Sequence, residues 1–434
     1  MAQRGLITVE MSNHFPRMLE MGQSYPPSRK LDFPSLLEEQ FTNRGVREKI
    51  TPGMKVAVGV GSRGITNLKE IVKATLGALI KAGARPFIVP AMGSHGGATA
   101  EGQAMVLAEY GITPESMGVP IEASMEVRKI GTAFDELEVV FSVPAFQADG
   151  VVVINRVKPH TDFRGSLGSG VQKMLTIGFG KQVGANNAHR AAAHLGYEAV
   201  LREFARVILG AAPILCGIAL VEDQRHQTAE FEVLLPENIV GEEGRLFAKA
   251  ESLLARLPFD EIDLMVIDHI GKEISGSGMD TNVIGRDITG YSSALHSKST
   301  VKPRVSRIFV RDLTAATNGN GIGIGMADFT TARLVKALNL QYVYMNALTS
   351  LGLSPAKIPI YFDTDRQAIQ AALASLAEPN QEKLRVVRIA DTLNLDRFQV
   401  SESCLDVVNG HPGLTTVGKA REMEFDPGGN LLPL

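Results

Sequence analysis

A short segment rich in β-branched residues, followed by a helix pattern, constrains the fold more than any other feature of the chain. Residues 54–60 alternate valine with small residues and predict a buried strand. An apolar face at helical spacing follows over residues 67–82, where Gly83 is placed to end the helix. Residues 86–90 predict a second strand. A strand, a helix and a strand in this order predict parallel strands joined by a right-handed crossover.

Similar patterns recur along the chain and predict two α/β domains. Further buried strands are expected at residues 150–154 and 213–221, with helices at 198–209 and 242–257. After Pro258 the pattern starts again, with strands at 263–267, 307–310 and 384–389 and helices at 330–338 and 366–376. A chain of 434 residues is too long for one ordinary core. We therefore expect an N-terminal domain over residues 1–258, with a mainly parallel sheet covered by helices on both faces. A smaller α/β domain over residues 259–434 would close a cleft that holds the active site.

Composition excludes several classes of function. The 44 basic and 47 acidic residues give a net charge of −3, so there is no basic field to attract nucleic acid. No apolar run approaches the roughly 18 to 20 residues that span a bilayer, and the first residues do not read as a secretory signal. The two cysteines are far apart and have no metal-binding spacing, which is typical of a reducing compartment. We expect a cytoplasmic protein that acts on a small molecule, without a membrane or nucleic-acid partner.

The first strand runs into a glycine-rich loop that matches the dinucleotide fingerprint only in part. Gly59, Gly61 and Gly64 satisfy the G-x-G-x-x-G spacing after a strand and before a helix. The second strand has no acidic residue at its end to hold a ribose, and extra loop residues separate the glycines from the helix. A standard dinucleotide site is therefore disfavoured. The alternative is a loop at the carboxyl edge of the sheet, where Arg63 could meet an anionic ligand.

Two more glycine-rich loops follow strand ends and carry chemically active side chains. His95 lies between Gly93 and Gly97, after the second strand. A longer loop after the 150–154 strand contains His160 and a Gly-Ser-Gly turn at residues 168–170, and it leads to Lys173. Either histidine alone could be a solvated loop residue. Because the carboxyl ends of parallel strands meet at one edge, the three loops together predict a single pocket.

A third histidine is expected near the start of a helix. His189 follows Asn186 and Asn187, either of which could be the N-cap. Such a histidine could equally cap or pack rather than bind a metal. His194 falls on a different face of the same helix and is expected to lie outside the site.

Together these loops resemble the lactate racemase family, whose enzymes carry a nickel-pincer nucleotide derived from nicotinic acid. The resemblance rests on the order and spacing of the Gly93-Ser-His95 loop, the Lys158-Pro-His160 turn, Lys173 and His189, and it covers roughly residues 55–190. It implies that Lys173 holds the cofactor through a thioamide bond and that Ser169 and Gly170 help to bind it. It also implies that His189 is the single protein ligand to nickel, and that His95 and His160 are the acid/base pair.

The implied reaction is racemisation or epimerisation of a 2-hydroxy acid by reversible hydride transfer. One histidine takes the hydroxyl proton while a hydride leaves the α-carbon, and a second histidine serves the opposite enantiomer. Arg63 would clamp the substrate carboxylate. The resemblance further implies that separate cofactor-synthesis proteins act on this chain as partners.

Departures from the family pattern indicate a different substrate. Lactate racemases have an aspartate three residues before the arginine that Arg63 matches, and Val60 stands there in this chain. Ile284 and Gly285 stand where the family has a substrate-contacting Tyr-Gln pair. A larger or more anionic substrate would fit if Lys272 or Arg286 faced the cleft, although both could be surface charges. A glycine-rich run at residues 319–325 permits a tight loop but predicts no function.

Two alternatives remain open from the residues alone. His95, His160 and His189 could bind zinc together in a hydrolase or lyase, with a fourth position left open. The chain could also be a catalytically silent relative that binds an anion in the same cleft.

Overall fold

The computed structural model describes residues 14–62, 64–161, 165–288, 302–378 and 380–434. The strands within these ranges are, in chain order, β1 (Met18–Gln23), β2 (Lys55–Val60), β3 (Arg85–Pro90), β4 (Val127–Ala133), β5 (Leu137–Ser142), β6 (Gly150–Arg156), β7 (Ile214–Glu222), β8 (Thr228–Leu234), β9 (Glu261–Ile270), β10 (Arg304–Leu313), β11 (Phe329–Thr331), β12 (Ile360–Phe362), β13 (Val386–Ile389), β14 (Arg397–Ser401) and β15 (Leu414–Arg421).

The helices are named in the same way. They are α1 (Phe33–Asn43), α2 (Leu68–Lys81), α3 (Ala100–Glu109), α4 (Pro114–Met117), α5 (Val143–Phe146), α6 (Val171–Lys173), α7 (Lys181–Leu195), α8 (Tyr197–Ala211), α9 (Ile239–Ser252), α10 (Thr281–Ile284), α11 (Ala332–Ala337), α12 (Leu340–Ser350), α13 (Asp365–Ala374) and α14 (Leu405–Val408). Among the described residues, no helix has the length and hydropathy needed to cross a lipid bilayer.

One compact unit, Pro27–Leu254, is built on a five-stranded sheet in the order β3-β2-β6-β7-β8. β3, β2, β6 and β7 run parallel, and β8 is antiparallel to β7. The predicted strand-helix-strand unit is β2-α2-β3, so its two strands pair as the sequence indicated. The carboxyl ends of β2, β3 and β6 consequently meet at one edge, which is the edge from which the three glycine-rich loops leave.

Helices cover both faces of this sheet, which confirms the predicted mixed α/β architecture. On one face, Val58 and Ile88 pack in a buried cluster with Leu37 of α1 and Leu76 of α2. On the other face, valines of β6 pack with residues of α7, α8 and α9. Side chains on both sides of the four parallel strands are buried, which explains why the sequences of these strands are continuous apolar runs rather than alternating ones.

The second compact unit contains the C-terminal part of the chain together with residues 14–26. Its eight-stranded sheet has the order β12-β11-β10-β9-β13-β14-β1-β15. The first five strands of that order run parallel, and β14, β1 and β15 continue the sheet in antiparallel pairs.

The N-terminal domain boundary differs from the predicted range of 1–258. Residues 14–26 belong to the other unit because β1 pairs with β14 and β15, with Met18 opposite both Ser401 and Arg421. The second boundary lies at Leu254 and Ala255, close to the predicted Pro258.

Two predicted helices are shorter than expected. α9 ends at Ser252 rather than at 257, and the residues between it and Pro258 form neither a helix nor a strand. The helix expected at 330–338 begins only at Ala332. Its first two residues belong instead to β11, Phe329–Thr331, which pairs with β10 and β12. The Thr331 hydroxyl then caps the helix by accepting a hydrogen bond from the Leu334 amide.

Candidate functional site

The loop between β6 and α6 is closed at its base by a short antiparallel pairing. The Lys158 and Ser169 backbones exchange two hydrogen bonds, of 3.1 and 2.9 Å. A side chain at Gly168 would overlap the Lys158 carbonyl oxygen, so this close approach requires glycine. The pairing brings the ends of the loop together and thereby places His160 beside α6.

Ser166, further along the same loop, is hydrogen bonded to α8. The Glu198 carboxylate accepts hydrogen bonds from the Ser166 amide, at 2.9 Å, and from the Ser166 hydroxyl, at 2.6 Å. Arg202 donates to both Glu198 and Ser166. The bonds from Ser166 lower the pKa of the Glu198 carboxyl, since they favour its charged form. Residues 162–164 lie outside the described ranges.

Lys173 ends α6, and the start of that helix is fixed by a buried carboxylate. Glu243 of α9 accepts a hydrogen bond from the Gln172 amide at 3.0 Å, and Asn155 donates to the Gly170 carbonyl at 2.6 Å. A Cβ at Gly170 would overlap the Glu243 carboxylate, so the carboxylate reaches the helix only because residue 170 is glycine. Burial raises the pKa of Glu243 to about 7. The position of the Lys173 side chain therefore depends on contacts from β6 and α9.

Three of the predicted site residues form one cluster with a residue that the sequence did not single out. The Nζ of Lys173 lies 2.6 Å from Nε2 of His160. The ring of Tyr197 is stacked with the His160 ring at a centroid separation of 6.3 Å, and its hydroxyl lies 2.6 Å from Nδ1 of His189. Tyr197 thus joins two histidines that lie on different segments of the chain.

His189 occupies a different place in its helix from the one predicted. α7 begins at Lys181, so His189 lies in the middle of the helix and neither Asn186 nor Asn187 is its N-cap. Residues 182–188 are helical although Gly184, Asn186 and Asn187 have low helix propensity. His194 is exposed near the end of α7, as expected for a residue outside the site.

Two glycines, one near the end of β2 and one in the loop after it, make room for the segment that follows Lys173. This segment, Met174–Gly178, is a single π-helical turn. A Cβ at Gly59 would overlap the Phe179 ring, and one at Gly61 would lie 3.0 Å from the Met174 methyl group. The partial G-x-G-x-x-G pattern therefore has a packing role in the described structure. π-helical turns are frequent at functional sites.

His95 lies on the neighbouring loop and contacts the loop after β2. Its Nδ1 is hydrogen bonded to the Ser62 hydroxyl. Tyr110 donates to the Ser62 carbonyl at 2.8 Å, and Gln103 donates to the His95 carbonyl at 3.3 Å. These contacts orient His95 at the same sheet edge and connect it to the loop after β2.

A buried lysine, Lys181, is hydrogen bonded to residues that hold the His95 loop in place. Lys181 is fully buried, and its ammonium donates to the Pro90 carbonyl and, at 3.0 Å, to the Gln103 side chain. Gln103 in turn donates to the Gly93 carbonyl at 2.8 Å. Desolvation lowers the pKa of Lys181 to about 8.

Arg63, the predicted carboxylate clamp, lies outside the described residues. Its neighbours on the same loop are fixed: the Thr66 amide donates to Glu222 at 2.8 Å, and Glu222 also forms an ion pair with Arg156 at the end of β6. Val60 is fully buried in the apolar core, beneath the loop that Arg63 belongs to.

The residues suspected of altering the substrate in the second unit have structural roles. Arg286 is buried and forms an ion pair with Asp328 at 2.5 Å, so it is not a surface charge. Lys272 donates to the Gly276 carbonyl at 2.7 Å and to Asn346 at 3.1 Å. Ile284 is fully buried, and a Cβ at Gly285 would overlap the Pro303 carbonyl.

The sequence pattern missed Tyr197, Glu243, Ser62, Gln103 and Lys181. Ser62 lies in the first glycine-rich loop but gave no signal of its own, and the other four belong to neither a glycine-rich loop nor a histidine motif. The one local signal was the position of Tyr197 directly after Gly196, where one helix ends and another begins.

The histidines are not arranged as a conventional metal centre. Among the described residues, which include His95, His160 and His189, no three His, Cys, Asp or Glu side chains are grouped so that they could hold a metal ion. The described structure therefore gives no support to the zinc alternative, which needs three protein ligands.

Comparison with known proteins does not assign the chain to a family. No protein-family model matches it, and no curated protein matches its sequence. A solved protein from Thermotoga maritima is 15% identical, over 74% of this chain and 82% of its own, with a TM-score of 0.47. The lactate racemase apoprotein from Thermoanaerobacterium thermosaccharolyticum is 14% identical, over 80% of this chain and 87% of its own, with a TM-score of 0.46. Likenesses of this size identify neither a family nor a site residue.

Proposed function

We propose that this chain is a racemase or epimerase of a 2-hydroxy acid that uses a nickel-pincer nucleotide attached to Lys173. The observation that carries the proposal is the 2.6 Å contact between Lys173 Nζ and His160 Nε2, extended by Tyr197 to His189. The lactate-racemase resemblance gives separate roles in one site to these three residues, and the fold brings them together from three segments.

The residues present fit such a cofactor. Lys173 is partly exposed at the end of a fixed helix, so its amine has access to an incoming group. The Nδ1 of His189 is engaged by the Tyr197 hydroxyl, and in metal-ligating histidines a partner on one ring nitrogen orients the other nitrogen toward the metal. A single imidazole is enough when the cofactor itself supplies the remaining donors, and imidazole suits Ni(II). When bound, the cofactor would accept a hydride from the substrate and return it.

The other residues would bind the substrate and move its hydroxyl proton. His95 and His160 would each accept and return this proton, one for each configuration of the hydroxyl-bearing carbon. The Ser62 hydroxyl on Nδ1 of His95 fixes the orientation of that ring, so Nε2 would be the nitrogen that meets the substrate. Arg63 would hold the carboxylate through two parallel hydrogen bonds.

The test is to produce the chain together with cofactor-synthesis proteins and to measure intact mass, the modified peptide and nickel on one sample. We expect a mass increment on the peptide that contains Lys173, with nickel in proportion to it. The Lys173→Arg variant should carry neither, whereas the matched Lys73→Arg variant, at an exposed position of α2, should carry both. Unmodified, nickel-free wild-type protein would refute the proposal and favour a catalytically silent relative.

A second measurement addresses the reaction. The loaded enzyme should interconvert the two configurations of its 2-hydroxy acid in D₂O without incorporating deuterium at the α-carbon, because the hydrogen moves as a hydride. His95→Gln and His160→Gln should each lower kcat by about 10²- to 10⁴-fold, the usual contribution of a general acid or base. Rapid incorporation of deuterium would indicate proton abstraction instead.

A further inference from the structure

We propose that His160 also acts before catalysis, as the general base that activates Lys173 for covalent attachment of the cofactor. This inference rests on the proposed function. Its structural basis is the hydrogen bond of 2.6 Å between Lys173 Nζ and His160 Nε2 in the unmodified chain.

A base is needed because a lysine side chain is ordinarily an ammonium ion. The pKa of a free lysine is about 10.4, so at neutral pH the nitrogen has no lone pair for attack. An imidazole in hydrogen-bond contact can take this proton before the nitrogen attacks, as an adjacent general base does for other weak nucleophiles.

Both partners are held in place by contacts outside the pair. α6 is held at its start by Glu243 and Asn155, and His160 follows the closed base of its loop and is stacked with Tyr197. Because the nucleophile and the base are already oriented, proton transfer requires little further ordering.

Lys181 provides a contrast within the same unit. Its nitrogen donates to the Pro90 carbonyl and to the amide oxygen of Gln103. Neither oxygen can accept a proton at neutral pH, so burial alone does not make Lys181 a nucleophile of the same kind. The feature that distinguishes Lys173 from Lys181 is the imidazole on its amine.

The attachment step balances with a pyridine thiocarboxylate as the co-reactant. The ammonium of Lys173 gives one proton to His160, and the nitrogen forms a bond to the thiocarboxylate carbon. The carbon–oxygen bond breaks and the oxygen leaves as water, taking up the proton from His160 and a second proton from the nitrogen. The products are a thioamide on Lys173 and one molecule of water, with no change of oxidation state. After this step the lysine nitrogen is no longer basic, and His160 becomes available for the substrate hydroxyl.

The experiment uses the full unmodified chain and a simple acyl donor, the S-phenyl thioester of nicotinic acid, which transfers its acyl group to an amine and releases thiophenol. Peptide mass spectrometry after limited reaction at neutral pH gives the rate at each lysine. In the wild type we expect Lys173 to react at least about tenfold faster than exposed Lys73. His160→Gln should slow Lys173 by about tenfold or more and leave Lys73 unchanged.

Two further variants separate chemistry from structure. In His160→Ala, added imidazole should restore the reaction at Lys173, an effect that a purely structural role would not produce. The matched His194→Gln variant, at an exposed position of α7, should react like the wild type. Thermal unfolding of each variant checks that it is folded.

Equal rates at Lys173 and Lys73 in the wild type would overturn the inference, as would a folded His160→Gln protein with the wild-type rate. Neither result depends on the cofactor, so the proposed function would still stand on the mass increment and nickel content. A chain that passes the thioester test but takes up no cofactor would instead refute the proposed function.

Discussion

The hydroxyl of Tyr197 lies 2.6 Å from Nδ1 of His189, and the two rings meet edge to face at a centroid distance of 5.6 Å. Tyr197 begins α8, whereas His189 lies within α7, so the contact spans the turn at Gly196. A partner on one ring nitrogen fixes both the orientation and the tautomer of an imidazole. We therefore assign Tyr197 a positioning role for the proposed nickel ligand.

The first prediction concerns this hydroxyl. Tyr197→Phe keeps the ring stacked with His160 but removes the partner of His189, so nickel affinity should fall by about 10- to 100-fold, as is typical when such a partner is lost. Nickel retained after dialysis against a graded chelator series measures the change. Attachment at Lys173, measured by mass, should persist. Tyr342→Phe, at an exposed tyrosine of the second unit, is the matched control. Wild-type nickel retention in Tyr197→Phe would contradict the assignment.

The second prediction concerns the packing that positions Lys173. Gly170→Ala places a methyl group against the Glu243 carboxylate, which is buried and bonded to the Gln172 amide. The free energy of unfolding should fall by about 1 to 3 kcal/mol, the usual cost of overpacking a buried site. Urea unfolding at neutral pH measures it. Gly77→Ala in α2 meets no atom within 4 Å and should stabilise the protein by about 0.5 to 1 kcal/mol. Equal effects of the two substitutions would show that Gly170 is not sterically required.

The parts of the fold that the sequence could predict depend on local patterns. The strands β2, β3 and β6 are recognisable because apolar runs buried on both faces look alike in any parallel sheet. By contrast, β1 pairs with residues almost four hundred positions away, and no local pattern indicates such a partner. The start of α7 was predicted too late because asparagine is a common N-cap residue. Asn186 and Asn187 in fact lie inside the helix, which begins at Lys181.

For the candidate site too, local patterns could predict some residues, and long-range contacts determine the others. His95, His160 and Lys173 could be proposed because loops at parallel strand ends converge on one edge. His189 lies within a helix, and it was proposed only through the resemblance to the lactate racemase family. Glu243 and Tyr197 could not be predicted, because their roles come from contacts in the tertiary structure. The Glu243 carboxylate, from α9, bonds to the start of α6, and the Tyr197 ring lies between two histidines.

The third prediction follows from the carboxyl group of Glu243. Burial raises its pKa from 4.5 to about 7, so between these pH values the folded protein holds a proton that the unfolded chain has lost. Stability should therefore fall as pH rises from 4.5 to 7, by up to about 3 kcal/mol from this group. Glu243→Gln cannot ionise and removes this contribution. The difference in unfolding free energy, variant minus wild type, should rise with pH over this range. A difference that stays constant with pH would mean that Glu243 titrates normally in the folded protein.

The last prediction has the opposite sign and concerns Lys181. Desolvation lowers its pKa from 10.5 to about 8, so between these values the unfolded chain holds a proton that the folded protein has released. Stability should rise with pH over this interval, by up to about 3 kcal/mol from this group. Lys181→Met has a similar length and no charge, so its unfolding free energy relative to the wild type should decline as pH increases from 8 to 10.5. Denaturant unfolding at several pH values measures the variant and the wild type, and parallel curves for the two would show that Lys181 stays protonated inside the folded protein across this interval.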